Sequence, residues 1–282
     1  MTGETENKKQ GRFKTLGVRA ASGIGLMVFC GFPVYYGGWA ILALASLFGI
    51  GMIWEWVRMT DVKASPFATF IPVAGLIASL VLAQIGDWKI ALGIIGGVTV
   101  LATCERIRRG KALWAGMGVL YILLPCLAII WLRGDEVGVK SLGFAHLIFI
   151  SLVVIAADTM AYIGGSTFKG PKLAPKISPN KTWSGFICGL LGGVVIGAVT
   201  AYVVGLNPVK GLLFAVPIVL ASVFGDLLES AIKRHLSVKD AGDLIPGHGG
   251  ILDRVDSLMM ALIVAVAALL VCPNLLSGNW PV

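Results

Sequence analysis

The chain has 282 residues, 57% of them hydrophobic and only 13% charged, and its mean hydropathy is +0.87. A soluble domain carries about 25% charged residues, so this composition excludes an ordinary soluble protein and points to one polytopic membrane bundle filling most of the length. The formal net charge of +8 is what basic loops against anionic lipid produce, and it gives no reason to expect a nucleic-acid partner.

Residues 1–17 are polar with several basic side chains and read as a cytoplasmic tail. The apolar stretch that follows is long and has no small-residue cleavage site, so it reads as a retained first helix rather than a secretory signal. Crossing about 30 Å of hydrocarbon takes about 20 mostly apolar residues. By that measure nine spans are expected, near 18–36, 39–57, 67–84, 88–103, 112–132, 142–164, 184–204, 211–229 and 255–272, the fourth short and glycine-rich. The expected fold class is therefore all-α: a polytopic transmembrane helical bundle forming a single membrane-embedded domain over 18–282.

With nine spans, one side of the membrane receives the N-terminus and the loops near 58–66, 104–111, 165–183 and 230–254. That side collects all 23 Lys and Arg except Lys89, Arg133, Lys140 and Lys210. The positive-inside rule makes it the cytoplasmic side, with the C-terminus periplasmic. Trp39, Trp54, Trp56, Trp88, Trp131 and Trp183 fall near span ends, as interface anchors do. Of the five cysteines (Cys30, Cys104, Cys126, Cys188 and Cys272), four lie within apolar runs and none form a CxxC pair, so neither a disulfide framework nor a zinc site is expected.

Two polar segments stand out on the basic side, and both lie in the C-terminal half, within about 150–272. The first, Gly164 to Gly185, contains "APKISPNKTWSG". The span after it carries Gly185, Gly189, Gly193 and Gly197, a ridge that lets helices approach closely, within a protomer or between two. The second begins "ESAIKRHLSVKDAGDLIPGHGGILDRVDS" at Glu229 and returns at once to apolar sequence.

Asp158 and Asp226 lie inside apolar spans, a turn or two from their cytoplasmic ends. A charge at a helix centre costs about 2.5–3.5 kcal/mol on the insertion scale, less nearer the interface. A metal, a basic partner or a wet cavity must compensate. Asp226, Glu229, Ser230 and Lys233 fall at three- and four-residue steps and share one helix face, as do Asp253 and Asp256 on the ninth span. Clustered aspartate oxygens suit Mg²⁺, which takes one or two carboxylates together with substrate phosphate oxygens. Lys233, Arg234, Lys239 and Arg254 suit phosphates. The Gly-His-Gly-Gly at Gly247–Gly250 gives backbone freedom for N–H groups to meet an anion. Acids, bases and glycines together describe phosphoryl or nucleotidyl transfer. No GxxxxGK[ST] run occurs, which argues against a Walker-type ATPase. His248 reads either as a hydrogen-bonding loop residue or as a general base, and Asp158 either as support for a metal or as the partner of a lysine.

The second segment resembles the signature of the phosphatidate cytidylyltransferases, or CDP-diacylglycerol synthases. The match runs through Ser230, Lys233, Arg234, Lys239, Asp240, Gly242, Ile245, Pro246, His248, Gly249, Gly250, Asp253, Arg254 and Asp256. "ADTMAYIGG" and "APKISPNKTWSG" look like the family's preceding helix and loop. The resemblance implies the reaction of CTP with phosphatidic acid to give CDP-diacylglycerol and pyrophosphate, with Mg²⁺. It implies a bacterial inner-membrane enzyme, often a homodimer. It also implies Asp226 and Asp253 as metal ligands with Asp256 close by, and Lys233 and Arg234 facing phosphates; Ser178, Asn180, Lys181 and Thr182 read either as residues that bind CTP or the lipid headgroup or as part of a basic cytoplasmic loop. Ser230, Lys239, Asp240, His248, Gly249, Gly250 and Arg254 join the expected substrate-binding set. Two alternatives stay open at this point: a secondary transporter using its intramembrane acids, and a CTP-dependent enzyme acting on another lipid.

Overall fold

A computed structural model describes residues 28–242, 244 and 249–276. Residues 28–36 are helical (α1). They are followed by α2 (Gly38–Thr60), α3 (Pro66–Gln84), α4 (Trp88–Arg106, continued by a short 3₁₀ turn, Ile107–Arg109), α5 (Ala112–Arg133) and α6 (Leu142–Phe168). A hairpin of β1 (Lys172–Ala174) and β2 (Ser178–Thr182) separates α6 from α7 (Trp183–Val203), α8 (Pro208–His235) and α9 (Leu252–Val271). Eight of these helices are long and apolar enough to cross a membrane, and the protein is an integral membrane protein. They coincide with the second to ninth expected spans, the glycine-rich fourth included. Only residues 28–36 of the first expected span lie among those described.

Side-chain contacts sort the helix ends into two groups. At one end Arg109 Nε lies 2.9 Å from Asp61 Oδ2, Arg106 Nη2 reaches the Ala68 carbonyl at 3.3 Å, and Trp114 packs against His235. At the other end Arg133 donates to the carbonyls of Val34, Tyr35 and Glu136, and Lys210 donates to the Asn274 carbonyl. The contacts at the first end bring the loop after α2 to the turn after α4, and the start of α5 to the end of α8.

Buried residues such as Ile41, Trp56, Leu80, Ile122, Phe149 and Ile218 fill the middle. Because lipid is as apolar as leucine, close packing rather than water exclusion holds such helices together. The α7 ridge illustrates the point. A Cβ on Gly185 would stand 2.7 Å from the Ala161 carbonyl oxygen, and one on Gly189 would stand 2.8 Å from that of Ala157. The four glycines thus seat α7 on α6 and α8 within one protomer. Trp56 departs from the expected interface role: it is 2% exposed, donates to the Trp114 carbonyl at 2.9 Å and stacks near Tyr121.

Candidate active site

Helices α8 and α9 run longer toward the basic end than hydropathy alone indicates, and this extension builds the site. Residues 229–235 continue α8 without a break, so Asp226, Glu229, Ser230 and Lys233 lie along one ordered helix face. Helix α9 starts at Leu252, which puts Asp253 in its first turn, where a negative charge favours the helix dipole.

The hairpin was not expected. Two prolines, Pro175 and Pro179, mask its short strands, which suits a two-stranded element with both edges open. It is antiparallel, with Lys172 opposite Thr182 and Ala174 opposite Ser178 across a bulge. Thr182 ends β2 and caps α7, accepting from the Gly185 N–H at 3.1 Å, as an N-terminal Thr does. The hairpin tip is held to α8 by Arg234, whose Nε donates to the Ile177 carbonyl at 3.4 Å.

Between α6, α7, α8, α9 and the hairpin lies a cavity of about 690 Å³. Five carboxylates line it: Asp158, Asp226, Glu229, Asp253 and Asp256. Lys181, Lys233 and Arg254 bring positive charge, Asn180 and Thr182 add polar groups, and Phe186, Val219 and Val223 give it an apolar wall. Two lysines balance part of the acid. Lys181 forms an ion pair with Asp226. Lys233 Nζ lies 2.6 Å from Asp253 Oδ1 and 2.6 Å from Glu229 Oε2. Asp253 Oδ2 also accepts from the backbone N–H groups of Ala241 at 3.0 Å and Gly250 at 3.3 Å. Asp256 is buried and accepts from the Ser257 N–H at 2.7 Å.

The expected site residues therefore divide. Asp226, Asp253, Asp256, Lys233, Asn180, Lys181, Thr182 and Arg254 meet at one cavity. Ser230 stands just behind it, its hydroxyl 3.4 Å from Asp226 Oδ1. Gly249 and Gly250 lead into α9, Gly249 with φ of +81°. Ser178 sits at the start of β2, outside the cavity wall. Arg234 is exposed and faces the hairpin tip, because one residue after Lys233 a helix has turned by about 100°. Lys239 and Asp240 are exposed in the segment after α8. His248 lies outside the described residues, as do Ile245 and Pro246 of the signature.

Two residues fall outside the expected set. Glu229 is expected only as a member of a helix face, yet it shares Lys233 with Asp253 and lines the cavity. Glu55, on α2, binds the start of α9: its Oε1 accepts from the Ile251 N–H and its Oε2 from the Leu252 N–H, both at 2.9 Å. The available signal for Glu55 was a carboxylate between two tryptophans, Trp54 and Trp56, in an apolar span.

The donor set can be tested against Mg²⁺. Among the described residues no three Asp, Glu, His or Cys side chains converge into a closed cage. Mg²⁺ does not require one, since it keeps waters and shares its shell with phosphate oxygens beyond one or two carboxylates. Asp226 and Asp253 face one cavity from adjacent helices, each paired with a lysine that lines the same cavity. That arrangement fits an ion shared with a substrate.

Known proteins bear on this arrangement. The sequence model of the cytidylyltransferase family matches residues 17–272. A phosphatidate cytidylyltransferase of Brucella abortus is 35% identical over 254 residues, covering 86% of this chain and 90% of the relative. That of Brucella suis is 36% identical over 244 residues, covering 84% of each. That of Staphylococcus haemolyticus is 35% identical over 252 residues, covering 85% of this chain and 93% of the relative.

Proposed function

The chain belongs to the cytidylyltransferase family, and from that membership we propose that it is a phosphatidate cytidylyltransferase, joining CTP and phosphatidic acid into CDP-diacylglycerol with release of pyrophosphate. The observation that carries this reading is the two-natured cavity. Lysines and carboxylates crowd one part of it, while Phe186, Val219 and Val223 line another, which suits a phosphate headgroup with an acyl chain attached.

The chemistry follows from charge. A phosphate oxygen of the lipid forms a bond to the α-phosphorus of CTP, and the bond from that phosphorus to the β-bridging oxygen breaks. The nucleophile is already anionic at neutral pH, so little general-base help is needed. The obstacle is repulsion between two anions, and preorganised positive charge lowers it. In this proposal Lys181 and Lys233 exchange their carboxylate partners for phosphate oxygens, and Arg254 holds phosphate at the cavity rim. Asn180 and Thr182 orient the substrate from the hairpin side. A bound Mg²⁺, held by Asp226 and Asp253 with Asp256 nearby, would add charge neutralisation at the triphosphate. Glu229 keeps Lys233 oriented when no substrate is bound.

The same proposal has a topology. The basic end faces the cytoplasm of a bacterial inner membrane, where CTP arrives from water and the lipid from the leaflet. The N-terminus lies inside, the C-terminus lies in the periplasm, and 18–282 act as one catalytic domain. As in the family it resembles, the protein would work as a homodimer. The deciding experiment is purified protein in detergent with radiolabelled CTP and either phosphatidic acid or a polyprenol phosphate, with and without Mg²⁺. Label entering the lipid phase only with phosphatidic acid and Mg²⁺ is expected. Transfer to the polyprenol instead would reassign the substrate, and no transfer to either would remove the reading.

A further inference from the structure

Glu55 is a fully buried carboxylate, 0% exposed, on a helix far in sequence from the cavity. A buried carboxylate is costly unless hydrogen bonds compensate it. Here the compensation comes from the start of α9, whose own N-cap residue, Ile251, offers no side-chain cap. Three consecutive backbone N–H groups are divided between two acids: Gly250 gives to Asp253 Oδ2, Ile251 to Glu55 Oε1 and Leu252 to Glu55 Oε2. These are the unsatisfied donors that every helix start carries.

The cradle around Glu55 is made of glycine. A Cβ on Gly242 would stand 2.7 Å from Glu55 Oε1, and one on Gly250 would stand 2.9 Å from Glu55 Oε2. Both approaches are closer than real Cβ atoms allow, so only glycine lets the carboxylate reach the backbone. Gly242 and Gly250 flank the polar segment, and Ala241 between α8 and Gly242 donates to Asp253. Asp253 therefore holds both ends of the segment, through Ala241 and Gly250, while Glu55 lies against Gly242 and bonds the start of α9.

We propose that Glu55 is a positioning residue for the transfer reaction: seated against Gly242 and Gly250, it clamps the start of α9 through Ile251 and Leu252, and so sets where Asp253 presents its carboxylate. The proposal rests on the function given above only for its kinetic arm. Glu55→Gln offers an N–H₂ where one backbone N–H needs an acceptor, so one of the two bonds is lost. Gly250→Ala keeps the carboxylate and pushes it out of the cradle.

The test combines hydrogen exchange at the amides of residues 249–252 with steady-state kinetics on phosphatidic acid and CTP. Both variants are expected to exchange faster at Ile251 and Leu252. Both should lose about ten- to a hundredfold in kcat, the range seen when groups that orient a site are removed, with KM for CTP changing little. The double variant should be no worse than either single one, because both break the same contact. Unchanged exchange at Ile251 and Leu252 in Glu55→Gln overturns the clamp, whatever the activity does. Faster exchange with unchanged kcat overturns the positioning role, as does a double variant whose losses multiply. If Glu55→Gln does not fold, Gly250→Ala alone decides by the same two readings. An inactive wild type with these amides protected would instead strike the function and leave the clamp standing.

Discussion

Lys233 stands between acids of two helices, 2.6 Å from Asp253 Oδ1 on α9 and 2.6 Å from Glu229 Oε2 on its own helix. Its side chain is 15% exposed, that of Asp253 12% and that of Glu229 2%. Removing one member of a buried ion pair strands the other, at a cost of about 3–5 kcal/mol. Lys233→Met is expected to lower the thermal midpoint in detergent markedly and to abolish turnover. Adding Glu229→Gln to that variant should recover part of the midpoint without recovering turnover, since one of the two stranded charges is gone but the phosphate-binding ammonium is still missing. A Lys233→Met protein as stable as wild type would mean that the three groups are far better solvated than their burial indicates.

Asp226 is held by a different lysine, Lys181, on the hairpin. Asp226→Asn and Asp253→Asn are each expected to eliminate transfer while leaving folded protein, because Arg234 and the Thr182 cap still hold the hairpin in place. Chelation with EDTA should do the same to wild type, and should also remove the protection that CTP gives against thermal unfolding. Added Mg²⁺ should restore both. Full activity in the two Asn variants, or turnover that survives the chelator, would refute the assignment of these acids to a metal.

Far from the cavity, Arg133 gathers the end of α1 and the turn after α5 by donating to the carbonyls of Val34, Tyr35 and Glu136, the last two at 2.6 and 2.7 Å. It is 1% exposed. Lysine cannot reproduce a planar fork with several fixed donors. Hydrogen bonds from a charged group contribute about 1.5–3 kcal/mol each, so Arg133→Lys should lower the thermal midpoint while KM for CTP stays at the wild-type value. A shift in KM without a shift in midpoint would show that this end communicates with the cavity.

The bundle was legible because its signal is long-range and redundant. Each span is a run of apolar residues, and the alternation of basic loops checks the count. Asp226 was legible for a related reason: it shares a helical face with Ser230 and Lys233, and a charge at membrane depth is conspicuous. What escaped was whatever depended on contact between distant segments. Glu55 sits at a span end, where an acid ordinarily needs no explanation, and only its placement against Ile251 and Leu252 reveals a partner. The hairpin escaped because strands as short as Lys172–Ala174 carry no usable periodicity. The resemblance put Arg234 at the phosphates together with Lys233, although neighbours on a helix point about 100° apart.

The glycine ridge of α7 brings it close against α6, and the contact bears on the cavity because Ala157, the residue facing Gly189, directly precedes Asp158. A side chain at position 189 would meet the Ala157 carbonyl, and backbone cannot yield as a flexible side chain can. Overpacking of this kind costs about 1–3 kcal/mol. Gly189→Leu should therefore lower the thermal midpoint and reduce kcat, since α6 must shift and carry Asp158 with it. Leu191→Ala, two residues along on the face away from α6, is the control. Its side chain is 62% exposed and faces lipid, so it should leave both quantities as in wild type. If Gly189→Leu destabilises the protein but preserves kcat, α6 moves without disturbing the cavity. Asp158 would then have no part in setting the geometry of Asp226 and Asp256.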